Sequence, residues 1–238
     1  GAARPKRYSE AAGRSEDGME LSAEGVAVER GGRLALVAPD FRVRRGEAAT
    51  LFGPNGSGKS TLLRALAGFS PLKRGDARLG DLSLSEDAQA FAEAAAYAGH
   101  LDAVKPALTV RGNLASWAAI YGSSPGRVDA ALARFALDHI AETPAAYCSA
   151  GQKRRLGLAR LLVVDRSLWL LDEPTVSLDA ASSVVFAEAV RDHCAGGGIA
   201  VAATHIDLGL PPGPRIELTP PRAEAAAAAD PFLAGEWA

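Results

Sequence analysis

The sequence predicts an α/β fold: hairpin-connected strands first, then strands alternating with crossover helices, with a helical insertion between the two parts. Three observations carry this. A glycine-rich loop at 53–60 separates a short apolar strand from a helix-period segment. Two further apolar runs, 168–171 and 199–203, enclose another helix-period segment. The stretch from 91 to 160 is mostly helical in pattern.

Taken in order, the segments 21–28, 34–37 and 41–43 alternate apolar and polar residues and are broken by Gly31-Gly32, which reads as an N-terminal antiparallel β sub-domain. Residues 49–52 form a short buried strand running into the glycine-rich loop. After that loop Leu62, Leu63, Leu66 and Ala67 recur at helical spacing up to Gly68, a helix stop. Ala-rich stretches at 90–98 and 128–137, with loop signals from Gly122 to Gly126, place an inserted helical sub-domain at about 90–160. Beyond it, strands at 168–171 and 199–203 flank a helix at 181–190, an alternation that calls for a parallel sheet. The domain is expected to occupy 19–220. Residues 1–18, polar and charged ahead of Met19, are read as a disordered extension; a transit peptide is opposed by Glu10, Glu16 and Asp17. Residues 221–238, with the run Ala225 to Ala229, read as a C-terminal tail.

Composition narrows the function. The 238 residues suffice for one large domain. Although 48% of them are hydrophobic, no window approaches the ~18 apolar residues of a membrane span, so no direct membrane insertion is expected. A net charge of −2 and a pI near 6.1 argue against nucleic-acid binding, which needs a basic patch. Cys148 and Cys194 suit a reducing cytosol and make neither a disulfide framework nor a metal site.

The loop Gly53-Pro54-Asn55-Gly56-Ser57-Gly58-Lys59-Ser60, followed by Thr61, fits G-x-x-x-x-G-K-[ST] and lies between a strand and a helix, as that motif requires. Its glycines let backbone N–H groups turn toward phosphate oxygens, and the helix points its positive end at the same anion. Lys59 then neutralises the β- and γ-phosphates of ATP, and the Ser60 hydroxyl ligates Mg²⁺. The run 168–173 is a buried strand ending in two carboxylates, Asp172 for the Mg²⁺ shell and Glu173 as general base on the attacking water. Together these motifs define a P-loop NTPase without choosing among its branches.

The choice rests on a resemblance. Ser149-Ala150-Gly151-Gln152-Lys153-Arg154-Arg155, some 20 residues before Asp172, resembles the signature of the ABC ATPases. The resemblance implies a head-to-tail dimer in which Ser149, Ala150, Gly151 and Gln152 of one chain close over the phosphate loop of a second copy. Ser177-Leu178-Asp179 resembles the family's dimer-contact loop, and Thr204-His205 its switch histidine, which makes His205 a catalytic partner of Glu173 and Lys59. Four positions depart from the pattern: His100 replaces a glutamine, Cys148 the signature's leading leucine and Ala150 its first glycine, and Arg30 stands where an aromatic stacks on adenine.

These departures, with Gly99-His100, 149–160, 172–179, 203–208 and the closing Asp230-Pro231-Phe232-Leu233, resemble one branch, the ATP-binding subunits of the haem exporters of bacterial cytochrome c maturation. That implies integral-membrane transporter subunits as partners, a peripheral place on the cytoplasmic face of the inner membrane, and a cycle in which ATP closes the dimer and hydrolysis opens it. Haem export, or release of a haem-loaded chaperone, is the implied cargo step. An ATPase serving another substrate, a soluble ABC ATPase of translation or DNA repair, and a P-loop kinase stay open as alternatives. His139 and His193 are read as solvent-facing or packed, not as haem ligands.

Overall fold

The computed structural model describes residues 19–220; the expectations for 1–18 and 221–238 lie outside the described residues. The chain opens with β1 (Glu20–Arg30), β2 (Arg33–Val37) and β3 (Phe41–Arg44), then β4 (Ala48–Phe52) and α1 (Lys59–Leu66). Next come β5 (Arg74–Leu79), β6 (Leu82–Ser83), α2 (Ala88–Glu93) and β7 (Ala95–Ala98). The helices α3 (Val110–Tyr121), α4 (Pro125–Arg134) and α5 (Ala150–Val164) follow, then β8 (Leu168–Asp172), α6 (Ala180–Ala195), β9 (Ile199–Ala203) and β10 (Arg215–Glu217).

Two five-stranded sheets result. The first is antiparallel, ordered β2-β1-β5-β6 with β3 also paired to β1, and it includes the hairpin strands expected from the sequence together with β5 and β6, which were not expected. The second is parallel throughout, ordered β10-β4-β9-β8-β7. Its β8 and β9 are buried at all five positions, which is why they read as continuous apolar runs rather than alternating ones.

Because successive strand residues point to opposite faces, these strands feed two cores. Leu168 and Leu170, with Ile199, Val201 and Leu51, join α1 and the antiparallel sheet. Trp169 and Leu171, with Ala200 and Ala202, face the side carrying α3 to α6. The insertion begins later than the expected boundary near 90. The Ala-rich segment 90–98 is not one helix: Ala95–Ala98 is the edge strand of the parallel sheet, in register with 168–171. Alanine's helix propensity is a weak prior here, overridden by pairing to a fully buried neighbour strand.

Local chemistry sets the helix ends. Thr109 caps α3 by accepting from Gly112 N–H at 2.9 Å, and Gly122 ends the helix in the left-handed conformation. Proline at the first position of α4 costs no hydrogen bond there. Among the described residues no helix is long and apolar enough to cross a membrane.

Candidate nucleotide site

All strands of the second sheet run the same way, so their C-terminal ends share one edge, the usual ligand side of an open α/β sheet. Three segments distant in sequence meet there: the loop after β4, the last residue of β8 with Glu173 just past it, and His205 two residues beyond β9. They line an open pocket of about 600 Å³, within the range of small-molecule sites. Of the expected site residues, Asn55, Gly56, Gly58, Lys59, Ser60, Thr61, Asp172, Glu173 and His205 line it, and Arg30 lies on its rim with Leu34 and Ala35.

The loop itself is held from below. Gly58 sits at φ 99°, and a Cβ there would come within 2.8 Å of Leu36 Cδ1. Gly53 is at φ 141°, and a Cβ would run into the Leu218 carbonyl and the Ser57 hydroxyl. Both need glycine for conformation and for space. Ser57 is fully buried, its N–H donates to the Pro54 carbonyl at 3.1 Å and its hydroxyl finds no partner; like Gly53 and Pro54, it does not line the pocket. Gly53 and Pro54 offer their carbonyls to the Lys59 ammonium at 2.7 and 3.1 Å, which fixes the cation at the mouth of the loop.

Ser60 Oγ donates to Asp172 Oδ1 at 2.9 Å. A hydroxyl and a carboxylate oxygen side by side, beside an anion-binding loop, suit a hard cation that keeps waters and phosphate oxygens as its remaining ligands, as Mg²⁺ does. Glu173 follows Asp172 at φ 47°, an uncommon conformation for a residue with a side chain and one that clusters at functional sites. Its N–H donates to Ala203 O at 2.9 Å, and its carboxylate lies 3.2 Å from His205 Nε2. The pair is thus oriented by two adjacent strand ends.

Two residues of this neighbourhood were not singled out from the sequence. Tyr97, on β7, donates its hydroxyl to Asp172 Oδ2 at 2.9 Å. Burial pushes its phenol pKa up, opposed by a hydrogen bond from Arg64 and reinforced by the Asp172 carboxylate. Arg154, on α5, is buried and donates to the carbonyls of Pro174, Gly99 and Glu173 and to Asp102 Oδ1, all between 2.7 and 3.0 Å. The available signals were a tyrosine among the alanines of 94–98, and a basic residue four before Leu158 and seven before Leu161 on a buried stripe.

The signature residues lie elsewhere. Ser149 is the N-cap of α5: Gln152 N–H donates to its Oγ at 3.2 Å, and its own N–H donates to Gln152 Oε1 at 2.8 Å, a reciprocal cap. Neither they nor Ala150 and Gly151 line the phosphate pocket of their own chain. Asp179 caps α6 by accepting from Ser182 N–H at 2.7 Å, which lowers its pKa, and is otherwise exposed. His100 is exposed just after β7, His139 is exposed, and His193 is packed in α6. Cys148 and Cys194 are buried free thiols.

Comparison with known proteins agrees with the geometry. An ABC transporter family profile matches residues 36–176. The chain is 51% identical over 213 residues to the cytochrome c biogenesis ATP-binding export protein CcmA of Cereibacter sphaeroides, covering 90% of this chain and 95% of that one. It is 51% identical to the CcmA of Paracoccus denitrificans, covering 85% of this chain and 90% of that one. Among solved structures, the dimeric post-hydrolysis form of an ATP-binding cassette bound to ADP and Pi is similar in fold, with a TM-score of 0.72 and 21% identity over 84% of this chain and 94% of that one. An ATP-binding subunit of an ABC transporter gives 0.70 and 24% over 78% and 79%. The chain belongs to the ABC transporter family as an ATP-hydrolysing subunit, among the ATP-binding export proteins of cytochrome c biogenesis.

Proposed function

We propose that this ATPase powers haem export, or release of a haem-loaded chaperone, for cytochrome c biogenesis. It does so as one half of a head-to-tail dimer bound to integral-membrane transporter subunits on the cytoplasmic face of the inner membrane. The observation that carries the reading is the split of the site. Lys59, Ser60, Asp172, Glu173 and His205 share one pocket, while Ser149, the capped N-terminus of α5, does not line it. Such a half-site is completed by the signature of a second copy. Relatives named as cytochrome c biogenesis ATP-binding export proteins support the cargo.

In this reading the loop amides and Lys59 hold the β- and γ-phosphates, and Arg30 on the rim stacks its guanidinium on adenine. Ser60 and Asp172 would hold Mg²⁺, whose positive charge would offset that of the phosphate oxygens. Glu173 takes a proton from the water that attacks the γ-phosphorus while the bond to the ADP oxygen breaks. His205, 3.2 Å from Glu173, holds that water and the γ-phosphate in line. Most of the rate comes from positioning and charge neutralisation rather than from covalent chemistry. Asp179, exposed ahead of α6, meets the second copy. In this reading the cycle reaches the membrane subunits through the groove beside the helical insertion.

Two measurements test this. Glu173→Gln is expected to bind ATP as before, lose about 10²–10⁴-fold in hydrolysis, and accumulate as an ATP-bound dimer; normal turnover would refute the general base. A pull-down of the tagged chain from solubilised bacterial membranes is expected to recover membrane subunits of cytochrome c maturation and a haem-staining chaperone. Recovery of an unrelated permease would refute the cargo and leave the ATPase intact.

A further inference from the structure

We propose that Tyr97 is a positioning residue for this reaction: its hydroxyl fixes the carboxylate of Asp172 in the orientation that receives Mg²⁺. The inference rests on the reading of Asp172 as a metal ligand. Asp172 is 5% exposed, so water does little to orient it, and protein donors take both oxygens. Ser60 Oγ donates to Oδ1 and the Tyr97 hydroxyl to Oδ2, each at 2.9 Å.

The two donors have different fates. Ser60 belongs to the phosphate loop and turns its oxygen to the cation, which frees Oδ1 to do the same. Tyr97 has no such second task, and its bond to Oδ2 persists as the anchor of the carboxylate. The phenol is itself held. Arg64, one turn after Ser60 on α1, is close enough to the phenol for each to shift the other's pKa, and Phe69 packs edge-on against the ring with centroids 5.5 Å apart. Tyr97 also stands in fixed register on β7, whose residues 95–98 pair with 168–171 of β8. A carboxylate with one oxygen fixed offers the other in a single direction before the cation arrives. Without the hydroxyl the Asp172 side chain is free to rotate about its terminal torsion, which is broad and two-fold for aspartate, and a buried acceptor loses its donor.

Tyr97→Phe removes the hydroxyl while keeping the ring and its contact with Phe69. Calorimetric titration of ATP into the full chain, on a Glu173→Gln background so that nucleotide is not consumed, would be run in EDTA and across a Mg²⁺ series. Asp172→Asn is carried in parallel. Tyr97→Phe is expected to bind ATP in EDTA within about twofold of its parent, because Lys59 and the loop amides are untouched. It should need at least about tenfold more Mg²⁺ to reach half of the Mg²⁺ effect, the loss of one hydrogen bond to a charged group. If Asp172→Asn raises the Mg²⁺ requirement and Tyr97→Phe does not, the proposal is overturned. It is also overturned if Tyr97→Phe weakens ATP equally with and without Mg²⁺, the mark of a merely structural hydroxyl. If Asp172→Asn leaves the requirement unchanged as well, the metal-ligand reading itself falls and takes the proposal with it.

Discussion

Arg154 is 4% exposed, and its guanidinium meets four acceptors drawn from two segments: Gly99 and Asp102 after β7, and Glu173 and Pro174 after β8. Because it sits in the first turns of α5, it ties the signature helix to the catalytic glutamate's own backbone, held at φ 47°. The loop can come this close because α5 carries Gly157, where a Cβ would lie 2.8 Å from Asp102 O. Arg154→Gln should therefore strand three carbonyls and a part-buried carboxylate. Breaking a buried charged pair costs about 3–5 kcal/mol, and the expected result is a loss of that order in urea unfolding, with hydrolysis reduced more than ATP binding. A variant within 1 kcal/mol of wild type, a threshold at the scale of one ordinary hydrogen bond, would show that the acceptors find other partners. At this scale the phosphate loop and Asp172-Glu173 were legible because each motif is contiguous and its residue types state its chemistry, whereas His205 was legible only through the resemblance of Thr204-His205 to a family pattern. Tyr97 and the contacts of Arg154 were not legible, because an isolated phenol or guanidinium is given meaning only by partners 75 and 19 or more residues away.

Among the elements, those with a strong apolar run or period were predictable: β4, β8, β9, α1 and α6 fall where the pattern places them. β7 was hidden because four alanine-rich residues match helix and strand equally, and pairing to β8 decided it. β10 has three residues and one buried side chain, Ile216, and takes its identity from parallel pairing to β4. α6 carries a second consequence. His193 is buried, its ring stacked on Trp169 of β8 at 4.0 Å with planes 9° apart and its Nε2 3.2 Å from Ile199 O. Burial holds its pKa down, from 6.5 to about 4. The unfolded chain thus binds this proton below pH 6.5 while the folded chain refuses it until about pH 4, so stability falls as pH drops through that window. The linkage amounts to about 3 kcal/mol across it. His193→Phe, which can keep the stack, should flatten the dependence of the urea midpoint between pH 7 and 4 relative to wild type; parallel curves for the two proteins would rule His193 out as the source.

On the scale of the whole molecule, the proposed dimer makes a prediction that no single-chain site shares. In a head-to-tail pair each nucleotide lies between the phosphate loop of one copy and the signature of the other, so defects in the two motifs complement when placed on different chains. Consider two variants in the Glu173→Gln background, one with Lys59→Ala and one with Ser149→Arg. The first cannot hold the phosphates; the second holds them but presents a bulky cation where a capped helix end should close. Neither is expected to form a dimer with ATP alone. A mixture, however, contains hybrid pairs in which the intact Lys59 of one chain faces the intact Ser149 of the other, while both defects fall together in the opposite site. Chains that fail to pair with their own kind stay free to pair with the other, so light scattering after size exclusion should show an ATP-dependent dimer in the mixture only. If each site were complete within one chain, mixing would restore nothing, since no hybrid would bring an unaltered Lys59 and an unaltered Ser149 into one chain. If the Ser149→Arg protein dimerised alone as its parent does, the signature would not be the closing surface. Complementation is expected because Ser149 does not line the pocket of its own chain, which leaves it available to the site of another.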